Sequence, residues 1–204
     1  MTKYAGKAEE WTERAYADAA SYLAHRAELI VSLGTQLEPG DEVLDLACGD
    51  GALGEILLAH GLHYRGVDVT PEMVREAARR LGERAPVELA DLNEYVPPAP
   101  VAATTVFRAI YYARDRAAFF RHVAAYTEKK LVFDLNPRQY RVEDVLADLR
   151  SAGFGGVSLR PFFVPQTVAL PGPLVAVARA LERAGPLARL ALRLRFTYLV
   201  AAAR

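Results

Sequence analysis

Hydrophobic spacing alone divides the chain into helical and extended stretches that alternate. Between residues 8 and 34, Leu23, Ala27, Ile30 and Val31 recur at the interval of a helix face, which predicts one or two amphipathic helices stopping at Gly34. EPGD at 38–41 predicts a turn, after which apolar runs of strand length take turns with helical patterns. EVLDLA precedes a helix over 51–60, and YRGVDV precedes one opened by Thr70, Pro71 and Glu72. PVELAD leads into a short Pro-rich loop, TTVFRAI into a helix over about 115–127, and KLVFDL into one over about 141–152. GVSLRPFFV reads as a sixth strand, 174–194 as helical, and RFTYLVAAAR as a last strand. Repeated β then α units whose strands are apolar on both faces predict an α/β fold, a parallel sheet covered by helices on each side.

Length and composition set bounds on this picture. At 204 residues one domain is expected over 1–204, with an N-terminal helical cap (1–38), a ligand-binding core (40–163), a helical insertion (164–194) and the last strand (195–204). The 25 basic side chains balance 25 acidic ones, so the overall surplus of Lys and Arg that grips nucleic acid is missing, and no nucleic-acid partner is expected. The single cysteine, Cys48, rules out an internal disulfide and fits a reducing compartment; with no apolar leader at the start, a cytoplasmic location is expected. The 18 residues between Arg160 and Arg179 carry no charge, but Pro161, Pro165, Pro171 and Pro173 interrupt them. A folded segment is therefore expected there rather than a membrane span.

The candidate chemistry lies in VLDLACGDGALG, where Gly49, Gly51 and Gly54 have the GxGxxG spacing of loops that approach a nucleotide closely. In an open parallel sheet the ligand sits beyond the carboxyl ends of the strands, above this loop. A dinucleotide would set its pyrophosphate at the following helix N-terminus, and Asp45 would face that pyrophosphate at short range. A carboxylate there suits a ligand with an ammonium group, and S-adenosylmethionine has one. Asp68, in GVDVTPEMV, is placed to accept from the ribose hydroxyls, and Asp91, in VELADLNEY, from the adenine amino group, with the Leu92 amide free to donate to the ring. Val69 and Met73 are apolar neighbours for the adenine faces.

On LDLACGDGALG, GVDVTPEMV and ADL, the chain resembles the class I S-adenosylmethionine-dependent methyltransferases over roughly residues 40–160. The resemblance implies a Rossmann-like doubly wound sheet of seven strands, mostly parallel with an antiparallel last strand, and S-adenosylmethionine as cofactor. It implies a cofactor set of Asp45, Ala47, Gly49, Gly51, Asp68, Val69, Met73, Asp91, Leu92 and Arg108. Valine at Gly51 is expected to fill ligand space and leave the fold intact. The fourth strand lacks the acid that often opens it in the family, and the Tyr111–Tyr112 pair stands where relatives carry His or other polar residues. Asn136 begins NPRQ, which is not the NPPY of amino-methylating nucleic-acid enzymes, because that motif follows the fourth strand.

Tyr16, Tyr111, Tyr112 and Asn136 are the candidates for the acceptor side, with the two adjacent tyrosines equally readable as core aromatics. No catalytic base and no metal ligand are assigned. The expected reaction is methyl transfer to a small-molecule acceptor, apolar or aromatic; the alternatives are a nicotinamide-dinucleotide-binding oxidoreductase and a module that binds S-adenosylmethionine without catalysis. Leu187, Leu190, Ala191 and Leu194 form an apolar stripe with Arg189 and Arg193 off it. That pattern predicts a helix packed on the core, with a wall over the acceptor or a membrane-surface helix as the sharper alternatives.

Overall fold

The computed structural model describes Thr12, residues 15–185 and residues 197–204. The strands are β1 (Glu42–Leu46), β2 (His63–Asp68), β3 (Val87–Leu89), β4 (Val101–Val106), β5 (Thr127–Leu135), β6 (Gly156–Phe162) and β7 (Thr197–Ala203). They form one sheet in the order β3-β2-β1-β4-β5-β7-β6. Pairings from β3 across to β5 are parallel, and β7 runs antiparallel between β5 and β6. The expected Rossmann-like sheet with a reversed last strand is therefore what the chain forms.

Six helices of the described residues cover the sheet: α1 (Ala19–Ser32), α2 (Ala52–Ala59), α3 (Pro71–Leu81), α4 (Arg116–Ala124), α5 (Val142–Ser151) and α6 (Gly172–Glu182). Side chains alternate along each central strand and so supply two cores at once. On β5, Val132 packs with Ile30, Leu57 and Ala77 of α1, α2 and α3, whereas Leu131, Phe133 and Leu135 pack with Phe120 and Leu149 of α4 and α5. Local chemistry fixes the helix starts: Asp18 accepts from the Ser21 amide, Asp115 from the Ala118 amide, and Pro71 takes the first turn of α3, where its missing N–H leaves nothing unpaired.

Two expectations shift. The hydrophobic pattern puts the fourth strand at TTVFRAI, but it runs Val101–Val106, because Arg108 adopts a left-handed backbone (φ 55°) and breaks the extension. The helix anticipated over 174–194 is α6 over Gly172–Glu182, followed by a turn; positions 187–194, with their apolar stripe and arginines, lie outside the described residues. Among the described residues no helix is long and apolar enough to cross a membrane. α6 is fastened to α1 by a buried contact, His25 Nε2 to Glu182 Oε2 at 2.6 Å, while Glu182 Oε1 accepts from the Phe163 amide at 2.7 Å.

Candidate active site

At the carboxyl ends of β1, β2, β3 and β4 the chain encloses a cavity of about 480 Å³, covered by Thr12, Tyr16, Leu23 and Arg26 from the N-terminal side. Its floor is the loop after β1. Ala47 (φ 65°) and Gly49 (φ 59°) both hold left-handed backbone there, and Ala47, which has a Cβ, is strained by it. Ala47 and Arg108 are the non-glycine residues at positive φ among those described, and both line the cavity, where strain of this kind is usually found.

Asp68 closes β2 and braces this loop: Oδ2 accepts from the Gly49 amide and Oδ1 from the Thr70 amide, each at 2.9 Å. Asp45, on the α1–α2 side of β1, is 3% exposed and accepts from Thr105 Oγ1 at 2.7 Å and from the Tyr64 hydroxyl at 2.9 Å. Burial pushes its carboxyl up to about 6, against the opposing pull of those two hydroxyls. Asp91 is tied to the Asn93 amide and to the Arg114 guanidinium at 2.6 Å, and these contacts hold its carboxyl below the usual range despite some desolvation.

The cavity brings together most of the residues singled out from the sequence. Asp45, Ala47, Gly49, Asp68, Val69, Met73, Asp91, Leu92 and Arg108 line it, as do Tyr16, Tyr111 and Tyr112. Tyr111 and Tyr112 are 46% and 50% exposed with ring centroids 4.4 Å apart, so they are rim aromatics and not core. Two candidates stand elsewhere. Asn136 caps the turn after β5, its side chain accepting from the Arg138 amide, and does not line the cavity. Gly51 starts α2 at φ 76°, and a Cβ there would meet Ala77 of α3 at 3.1 Å. A valine at Gly51 would therefore collide with α3 rather than fill ligand space, which reverses the expectation that the fold would be untouched.

Several lining residues escaped the sequence reading. Asp50 is buried at the start of α2, where its carboxylate accepts from the Ala52 amide, from the amide and hydroxyl of Thr12, and from Arg80. Arg26 shares the buried stripe of α1 with Leu23, Ala27 and Ile30. That spacing, a cation placed among apolar residues three and four apart, was the available signal. Cys48 also lines the cavity at 8% exposure, its thiol pushed up by burial.

A family model described as a methyltransferase domain matches residues 43–130, the stretch from β1 into β5 that supplies the cavity's floor and most of its lining. Over that stretch the chain is similar to methyltransferase domains. An uncharacterized methyltransferase of Schizosaccharomyces pombe is 36% identical over 88 residues, 43% of this chain and 30% of that protein. The chain spans less than a third of the length of the curated relatives it matches. Among solved structures, a Haloferax volcanii protein crystallised with the Trm112 methyltransferase activator shares the methyltransferase fold at TM-score 0.70 and 17% identity, over 97% of this chain and 92% of that one. An S-adenosylmethionine-dependent methyltransferase of Mesorhizobium loti does so at TM-score 0.66 and 20% identity, over 89% and 98%.

Proposed function

We propose that the protein transfers the methyl group of S-adenosylmethionine to a nucleophilic atom of a small molecule, apolar or aromatic in character. The observation that carries this reading is one cavity lined both by acids at the ends of β1 to β3 and by the aromatic residues Tyr16, Phe107, Tyr111 and Tyr112. Its volume lies in the range of small-ligand sites. The acids fit the cofactor: Asp45 suits its ammonium, Asp68 its ribose hydroxyls, Asp91 with the Leu92 amide its adenine, and Val69 and Met73 the adenine faces.

The cofactor supplies an electrophilic methyl on a sulfonium that is already a good leaving group. What remains for the chain is to align the acceptor and keep water away, tasks for the tyrosines and for the N-terminal cover. None of the four histidines lines the cavity, so a histidine base is not part of the scheme. The equal numbers of acidic and basic residues support a small acceptor over nucleic acid.

A nicotinamide dinucleotide is disfavoured by Asp50. Its carboxylate already takes the first α2 amide, where a pyrophosphate would have to bind, and would repel it. Titration calorimetry with S-adenosylhomocysteine and with NAD⁺ separates the readings. Binding of the first alone is expected; binding of NAD⁺ alone would overturn the proposal. A module that binds without catalysis would take up S-adenosylhomocysteine and yield no methylated product from any acceptor in a mass-spectrometric screen.

A further inference from the structure

α6 is turned against the usual arrangement of a surface helix. Apolar stripes ordinarily face the core, yet α6 buries Ala178 and the carboxylate of Glu182 and leaves Leu174, Val177 and Leu181 at 52%, 54% and 46% exposure. Spaced three and four residues apart, these three share one side of the helix. Val168, in the loop before it, is 57% exposed as well. Apolar side chains scattered singly over a surface are ordinary, whereas a row of them along one helix is the mark of an interaction surface.

Charge identifies what covers this row. Of the 25 basic residues, seven lie between Arg160 and Arg204, a stretch that holds one of the 25 acids. That acid is Glu182, whose side chain is 1% exposed and engaged by His25 and the Phe163 amide, so it presents no charge to solvent. The rest of the chain has the opposite excess, 18 basic residues against 24 acidic ones. A chain neutral as a whole is therefore positive around α6. Arg183 is exposed at the end of the helix and lines one hollow with Arg160 of β6, while Arg179 pairs with Glu28 of α1 at 3.5 Å. A second copy of the chain would bring the same positive charge to the contact and repel it. Nucleic acid would meet leucine and valine where its phosphates need donors. An anionic bilayer supplies both partners, phosphates for the arginines and an acyl boundary for the row.

We propose that α6 rests on an anionic lipid surface, with Leu174, Val177 and Leu181 dipping below the headgroups. Its 11 residues are too few to span a bilayer, so it lies along the surface. The loop that leads into α6 also touches the cover of the cavity: the Gln166 carbonyl accepts from the Ala17 amide at 2.9 Å, and its side chain donates to the Ala15 carbonyl at 2.8 Å, on either side of Tyr16. Docking through α6 would hold that cover close to the bilayer, where apolar compounds collect.

Flotation of the full chain with vesicles tests this, using phosphatidylcholine alone and phosphatidylcholine mixed with phosphatidylglycerol. Binding is expected to the mixed vesicles only, and to weaken at least tenfold in about 1 M salt, where screening acts within about 3 Å. Arg183→Gln should weaken it about fivefold, the worth of one basic residue near an anionic surface. Replacing Leu174, Val177 and Leu181 together by serine should weaken it at least about tenfold. No binding of wild type to the mixed vesicles, equal binding to the neutral ones, or undiminished binding by a folded triple-serine variant overturns the proposal. So does a duplex DNA oligomer, or a dimer seen in sedimentation and lost in the triple-serine variant, when vesicle binding is absent.

Should the triple-serine variant not fold, Val177→Trp adds a second tryptophan to the Trp11 of the chain. Brominated lipid in the mixed vesicles should quench its emission more than that of wild type, and equal quenching is again fatal. None of these measurements uses S-adenosylhomocysteine, so the cofactor reading stands or falls separately.

Discussion

Asp45 is the residue whose protonation reaches furthest. Burial raises its carboxyl to about 6, so in the folded chain the neutral form is favoured relative to the unfolded chain. Its contribution to stability is therefore full below the ordinary carboxylate value and is lost as the pH rises through 6. Ligand binding runs the other way, because an ammonium needs the ionised form. Affinity for S-adenosylhomocysteine is expected to fall between pH 7 and 5 with a midpoint near 6, and Asp45→Asn should flatten that profile; a pH-independent affinity in wild type would remove Asp45 from the ammonium. Asp68→Ala should cost more than hydrogen bonds to a ligand, since the Gly49 and Thr70 amides lose their acceptor too. At least a tenfold weakening by calorimetry is expected, from the roughly 1.5–3 kcal/mol of hydrogen bonds to a charged group. Gly51→Val combines left-handed strain with contact on Ala77 and should destabilise by roughly 2–5 kcal/mol in urea unfolding. An unchanged midpoint would contradict that geometry. Sequence showed the three acids and the glycines because one acid closes each of three successive apolar runs, with the glycine spacing directly after the first. It could not show which way Gly51 faces, since that depends on how α3 returns over α2.

Elements hold one another through polar groups as well as apolar stripes. Lys130, in the middle of β5 and fully buried, reaches across to donate to the Val31 and Leu33 carbonyls at the end of α1, at 3.1 and 2.9 Å. Desolvation brings its amine down to about 8. Between pH 8 and its ordinary value near 10.4 the unfolded chain therefore binds more protons, and the stability contributed by this group rises with pH. The difference in thermal midpoint between wild type and Lys130→Met should widen from pH 7.5 to 9.5. A constant difference would mean that the amine titrates as it does in water. The alternation of strand and helix was legible because the strands are short apolar runs with helical patterns between them. The fourth strand was misplaced because VAATTV has small and hydroxyl-bearing residues that give a weak strand signal, while the stronger VFRAI lies past the point where Arg108 turns the backbone. A cation within a strand, such as Lys130, carries no mark in the sequence of the carbonyls it will meet.

At the scale of the molecule, the sheet order and the reversed last strand follow from the family resemblance, and the two cores follow from side-chain alternation along β1, β5 and β7. The cover over the cavity was only partly foreseen. Tyr16 was anticipated as an acceptor neighbour, but the bonds from Thr12 to Asp50 tie the N-terminal side to the glycine loop across 38 positions of sequence, beyond the reach of local patterns. The lone thiol of Cys48 faces the same enclosed space. Because no other cysteine competes, a thiol-selective dye added to the native protein attaches at one position only, and the pace of labelling becomes a clock for how often the enclosure opens to solvent.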